Sequence, residues 1–280
     1  MLTKILSKAV LIAGLICSPA FAAPGKNDAN SPKPNKLVLD GSNAVVLRGE
    51  VTGESVAKLS TQILETSGDT LNLYISSPGG SIIAGMQLIN VLKSSGKKVN
   101  CIASIAASMA FVILQACDTR QVMDSSILMQ HVASYGLKGD APNNLSRVKF
   151  IHKMLKDMDE AQASRLGMDL KEFRGKIRND WWLFGKESVE VKAADNVIQV
   201  TCTPELAKKR ITEKFTVFIF KVKVVWSGCP IIEEPLEVGL DDDSLKRTLD
   251  TEKEKNAYAG FLRQVYTRNT LMNRYLNKLK

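Results

Sequence analysis

Between Lys36 and about Val200 the chain alternates short apolar runs with stripes at helical spacing. Ala44–Arg48, Leu71–Ser76, Val99–Ala103 and Ile127–Gln130 read as strands. Val56, Leu59, Ile63 and Leu64 recur at helical intervals, and Gly68 stops that helix. Ile82, Met86, Ile89 and Leu92 form the next stripe, closed by Gly96. Ser108–Cys117 reads as a buried helix. Leu145 to about Leu166 reads as a longer amphipathic one, with Val148, Ile151, Leu155 and Met158 on one face. Strands that alternate with crossover helices imply an α/β fold: a mostly parallel sheet covered on both sides.

The texture changes after Cys202. Thr216–Trp226 is β-branched and partly alternating, which predicts a strand. Ile231–Leu240 carries prolines and acids. Asp243 or Ser244 then caps a charged helix running towards Lys280, with apolar positions that include Leu245, Leu249, Tyr258 and Leu262. Residues 203–280 therefore read as a C-terminal α+β extension, separate from a main domain over 37–202. There are no internal repeats.

The N-terminus follows a different logic. Lys4 and Lys8 precede an apolar run from Ala9 to Cys17, and Ala20-Phe21-Ala22 closes it as an A-x-A cleavage site. Residues 1–22 read as a signal peptide and 23–36, rich in Pro, Asn and Gly, as a flexible leader. The apolar run is too short for a stable membrane anchor, and no other stretch approaches about 18 uninterrupted apolar residues. The expected location is periplasmic or secreted.

Export changes how charge and cysteine read. The net charge is +9 over 280 residues; losing Lys4 and Lys8 with the leader lowers it by two. The basic residues are spread along the chain rather than clustered with aromatics, so no nucleic-acid partner is implied. Without Cys17 the chain keeps Cys101, Cys117, Cys202 and Cys229, an even number that permits two disulfides in an oxidising compartment. Of the three pairings, Cys101–Cys117 with Cys202–Cys229 is the most local. The alternative is that Cys101 and Cys117 are simply buried small hydrophobes. No cysteine or histidine spacing suits a zinc site, and the reading calls for no metal or other cofactor.

Two segments carry candidate chemistry. Ser77-Pro78-Gly79-Gly80 joins a strand to a helix, where glycines let the backbone come close to a substrate and the helix start offers free amides. In Ala106-Ala107-Ser108-Met109 a serine among small residues sits where a strand hands over to a helix, the geometry that presents a nucleophile. Of the two histidines, His131 ends a buried strand, where α/β sites gather, and is the candidate base. His152 lies inside the long helix and reads as an ordinary helix residue.

Taken together these elements resemble the proteolytic subunit of the Clp protease, a serine peptidase of the crotonase-like superfamily. The resemblance runs from about Val45 to Asp195. It rests on Ser77-Pro78-Gly79-Gly80 through Gly85-Met86, on Ala106-Ala107-Ser108-Met109, on Met129-Gln130-His131, and on Asp180, Glu187 and Asp195, all in one order. It implies a spiral of β-β-α units. It also implies Ser108 as nucleophile, His131 as proton carrier, Asp180 as the acid that orients His131, and the amides of Gly80 and Met109 as an oxyanion hole. Asp180 could not be chosen among the acids without it. Ser104 and Ala110 stand where the family has glycines, and Val132-Ala133 replaces its Gln-Pro.

The resemblance implies a peptide or unfolded-protein substrate and self-association, with the helix at 145–166 in the place of the segment by which the family pairs its rings. An exported chain has no ATP-driven unfoldase beside it, and the sequence has no GxxxxGK[ST] loop, so no ATPase partner is expected. The competing readings are a non-catalytic scaffold on the same fold, another crotonase-fold enzyme such as an acyl-CoA hydratase, and a Ser–Lys dyad peptidase.

Overall fold

The computed structural model describes residues 35–217 and 220–241. The expected signal segment, nearly all of the leader and the helix expected from Asp243 or Ser244 lie outside the described residues. The elements run β1 (Asn35–Leu39), β2 (Ala44–Arg48), α1 (Gly53–Glu65), β3 (Thr70–Ser77), α2 (Ile82–Ser94), β4 (Lys98–Ala107), α3 (Met109–Gln115), β5 (Thr119–Gln130), α4 (Ala141–Leu166), α5 (Leu170–Ile177), β6 (Trp181–Phe184), α6 (Glu187–Glu190), β7 (Asn196–Cys202), α7 (Pro204–Lys208), β8 (Arg210–Val217), β9 (Phe220–Ser227) and β10 (Glu237–Leu240). The first strand begins inside the segment read as leader.

The main sheet has the order β1-β7-β5-β4-β3-β2, parallel throughout, with β6 added antiparallel to the end of β5. The expected mostly parallel sheet is present, but its three crossover helices share one face. Val56, Leu59 and Ile63 of α1, Ala84, Leu88 and Leu92 of α2, and Met109 to Leu114 of α3 join Leu71, Leu73, Val99, Cys101 and Ala103 in a single core. Alternation along β3 and β4 sends Tyr74 and Ile102 to the opposite face, where they meet Leu39, Ile198 and Leu206. That face also holds a polar ladder: Asn100 donates to Asn72 at 2.8 Å and accepts from Thr119 and Gln121 at 2.7 Å each. No helix periodicity signals such a face, which is closed by α7 and the chain beyond it.

Two predicted helix faces are corrected. In α2 the buried residues are Ala84, Gly85, Leu88 and Leu92; Met86 is exposed and Ile89 only partly covered. This helix is apolar nearly all round, so its stripe could be drawn in more than one phase. The small residues won because α2 lies tight on α3, where a Cβ on Gly85 would collide with the Met109 side chain. In α4 the buried residues are Gln162, Ala163 and Leu166, while Val148, Ile151, Leu155 and Met158 are half-buried. The helix outruns the surface beneath it and is anchored at its C-terminal end.

The expected strand at Thr216–Trp226 is instead the end of β8 and most of β9, which follow α7 and pair antiparallel from Arg210↔Ser227 to Val217↔Phe220, and β10 adds to β9. This small sheet is fastened to the main one. The Arg48 guanidinium lies 4.2 Å from the Trp226 ring centre, the Tyr74 hydroxyl donates to Glu233 at 2.8 Å, and Cys202 at the end of β7 is bonded to Cys229. A second disulfide joins Cys101 of β4 to Cys117 after α3.

The bridged residues are 16 and 27 apart, so chain-entropy reasoning assigns about 3 kcal/mol of stability to each bridge. Denaturant unfolding with and without reductant measures this. Protein from an oxidising compartment is expected to show no free thiol from these four cysteines, and reduction is expected to shift the transition to markedly lower denaturant.

Candidate active site

Strand β4 does not stop at Ala103, as its apolar run suggested, but continues to Ala107 across an irregularity. Ala103 pairs with Ile75 and Ile105 with Ser76, leaving the buried Ser104 out of the register. Such a bulge re-aims the strand end. The chain then turns at Ser108, with φ 54° and ψ −121°, straight into α3. A non-glycine residue in this region is strained and persists only where its surroundings over-determine it. Here the Ser108 amide donates to the Met129 carbonyl at 2.9 Å, and the Ser108 carbonyl accepts from Phe111 and Val112. The hydroxyl makes no capping bond to its own helix. It faces the His131 ring instead, with Ser108 Oγ 2.9 Å from Nε2.

His131 follows the last residue of β5. Burial pushes its pKa below the usual imidazole range, and the carboxylate of Asp180 partly offsets this by favouring the charged ring. Asp180 immediately precedes β6, which pairs with the end of β5 so that Trp181 lies opposite Gln130. Asp180 too has a positive φ, 51°. Three described non-glycine residues share this property, and two of them are Ser108 and Asp180. The structure thus brings Ser108 and His131 into contact and puts the Asp180 charge within reach of the ring.

The depressed pKa fixes a sign. Only a neutral imidazole can accept the Ser108 proton, so any reaction of Ser108 that uses His131 in this way is expected to rise as pH rises through the His131 midpoint. That midpoint is expected below the ordinary imidazole value. Asp180→Asn removes the interaction that raises it and is expected to lower it further, as read from the pH profile of Ser108 acylation.

Gly80 and Met109 border the same cavity, of about 110 Å³, with Ile82, Val112, Leu155 and Met158. The bridge between Gly80 and Val51 runs through the Gly79 carbonyl and the Ser81 amide, at 2.8 Å each, which leaves the Gly80 N–H outside it. The Met109 N–H is in the first turn of α3, where helix amides have no partner within the helix. Among the described residues no lysine lines the cavity, and no cluster of His, Cys, Asp and Glu could hold a metal ion. His152 is exposed on α4.

Other motif residues serve the framework. Asp195 receives the backbone and side chain of Arg120. Burial would raise its pKa, but those hydrogen bonds and the charges of Arg120 and Arg165 outweigh it and hold it low. Glu187 accepts from the Phe184 amide at 3.3 Å. Sequence reasoning missed Gln130 and Gln162, two buried amides beside the histidine; a glutamine at the end of an apolar strand was the available signal.

Comparison with known proteins adds a lineage. The sequence pattern described as Clp protease matches residues 35–201. The ATP-dependent Clp protease proteolytic subunit 2 of Treponema denticola is 30% identical over 179 residues, 59% of this chain and 90% of the relative. The subunit 2 of Nocardia farcinica is 27% identical over 161 residues, covering 55% and 79% of the two chains. The subunit 1 of Bacillus cereus is 26% identical over 168 residues, covering 59% and 86%.

Proposed function

The chain belongs to the Clp protease family, and from that premise we propose that it is an exported serine peptidase acting on peptides or unfolded segments without ATP. The observation that carries this reading is the 2.9 Å contact between His131 Nε2 and Ser108 Oγ at the strained start of α3.

The chemistry follows from the positions. His131 Nε2 takes the hydroxyl proton as Ser108 Oγ bonds to the carbonyl carbon of the scissile peptide. The carbonyl oxygen gains negative charge and is met by the amides of Gly80 and Met109. His131 then gives its proton to the leaving nitrogen and the C–N bond breaks. Water, deprotonated by the same ring, releases the acyl group from Ser108. The Asp180 carboxylate stabilises the imidazolium in between. The apolar wall of Ile82, Val112, Leu155 and Met158 favours a substrate with an apolar side chain next to the cut.

Export is supported by the basic, apolar and A-x-A order of residues 4–22 and by two disulfides, which suit an oxidising compartment. Independence from ATP is supported by that location and by the lack of a phosphate-binding loop in the sequence. Self-association is part of the reading, with exposed Leu145 and Phe150 on α4 available to a second copy.

The test is reaction of the purified protein with a fluorophosphonate in nucleotide-free buffer. A mass adduct on Ser108, absent after His131→Ala, is the expected result. A folded wild type that takes no adduct would favour the scaffold reading instead.

A further inference from the structure

We infer that Gln130 and Gln162 are positioning residues: a one-way chain of hydrogen bonds through their two buried amides ties the seat of α4 to the backbone of His131. This rests on the reading of His131 as the base.

The chain starts on α4. The Gln162 side-chain nitrogen donates to the Met158 carbonyl at 3.1 Å, one turn earlier in the helix. Its oxygen accepts from the Gln130 side-chain nitrogen at 2.5 Å. The Gln130 oxygen accepts from the His131 backbone amide at 3.1 Å. Each amide can sit only one way round, because the two ends are an obligatory acceptor and an obligatory donor. The Met158 carbonyl fixes which end of Gln162 is nitrogen, and the His131 N–H fixes which end of Gln130 is oxygen.

The position in the fold gives this chain its purpose. His131 is where the chain leaves β5. Gln130 supplies a partner for its N–H from the last residue of β5. Both amides are nearly fully buried and line the cavity that contains Ser108 and His131. Burying two amides costs free energy that an apolar pair of the same size would avoid, unless every donor and acceptor is used. A pure packing role is therefore the poorer account of them.

The helix at the far end is seated by few residues: Gln162, Ala163 and Leu166 are its buried positions. Gln162 is thus both a principal anchor of α4 and the start of the link to His131. Displacement of α4 would pull the Gln130 amide and leave the His131 backbone without its partner. The charge that acts on the ring is Asp180, ahead of β6; Asp159 of α4 lines the same cavity and is paired with Arg174 of α5 at 2.9 Å.

The chain of bonds is tested by histidine-selective NMR titration of the whole protein, whose two histidines make the assignment simple. In Gln162→Met, the His131 midpoint is expected to rise towards the ordinary value as the ring loosens into solvent. Gln130→Met is expected to do the same. The double variant should add nothing, because both residues act through one chain. With methionine at both positions no side-chain amide is left unpaired, so this variant serves if Gln162→Met alone does not fold. In peptide hydrolysis the expected loss is about tenfold in kcat, with KM within about twofold. An unmoved His131 midpoint in a folded variant, or shifts that add in the double variant, would overturn the link. The titration needs no turnover. A wild type inert to fluorophosphonate therefore sinks the peptidase reading and not the link, while a reactive wild type with an unmoved midpoint does the reverse.

Discussion

Ser108→Ala is expected to lower kcat for peptide hydrolysis by about 10⁴–10⁶-fold, the range set by removing a nucleophile from a serine–histidine pair. The loss should be chemical and not structural. The Ser108 hydroxyl caps nothing in α3, and alanine at φ 54° carries the same backbone strain as serine. Thermal unfolding of the variant should therefore stay close to wild type. His131→Ala is expected to cost a similar factor, since Oγ without Nε2 at 2.9 Å is an ordinary alcohol. The double variant should be no worse than either, because the two residues act as one unit. Steady-state rates on a peptide substrate, beside intact-mass measurement of acylation, check this. Equal rates in wild type and Ser108→Ala would remove the nucleophile assignment.

Gly79→Ala is expected to cost about 10²-fold or more in kcat and about 1–3 kcal/mol in stability. Gly79 has φ 90°, a conformation that side chains resist. A Cβ there would lie 2.5 Å from the Ala107 carbonyl oxygen, 2.8 Å from the Met109 amide nitrogen and 2.8 Å from Ser108 Cβ. None of these can give way alone, because they are the backbone and Cβ that aim Ser108 and the Met109 amide. Relief must move Ser108 or Met109 and so spoil the site. Gly96→Ala is the control. Gly96 also has a positive φ, 70°, but nothing lies within 4 Å of its Cβ position. It should lose stability of the same order and keep its rate. Rate and denaturant midpoint for both variants separate strain from misalignment; a Gly79→Ala enzyme of normal rate would show that the turn does not hold the site.

Much of this was legible without coordinates, and the residues say why. Glycine, proline and small residues at Ser77-Pro78-Gly79-Gly80 and around Ser108 are demanded by local backbone geometry, so they mark the two turns wherever the chain goes. Short apolar runs placed β2 and β3 within a residue, and helical spacing picked out Val56, Leu59 and Ile63, the buried residues of α1. By contrast, the phase of α2, the bulge at Ser104, the hairpin inside Thr216–Trp226 and the short β6 were misread or missed. In each case the deciding contact is distant in sequence: Met109 against Gly85, Ser76 against Ile105, Ser227 against Arg210, and Gln130 against Trp181.

By itself, then, the sequence determined the alternation of strand and helix, the glycine turns, the serine at a strand-to-helix corner and the histidine at a strand end, because these depend on steric rules acting over a few residues. Only the tertiary structure decided that Ser108 and His131 meet at 2.9 Å and that the Asp180 charge, just ahead of β6, acts on the ring. It selected the most local of the three cysteine pairings and linked α4 to His131 through Gln130 and Gln162. Those are distances between segments far apart along the chain, and they are set by how sheet and helices bury their apolar faces together.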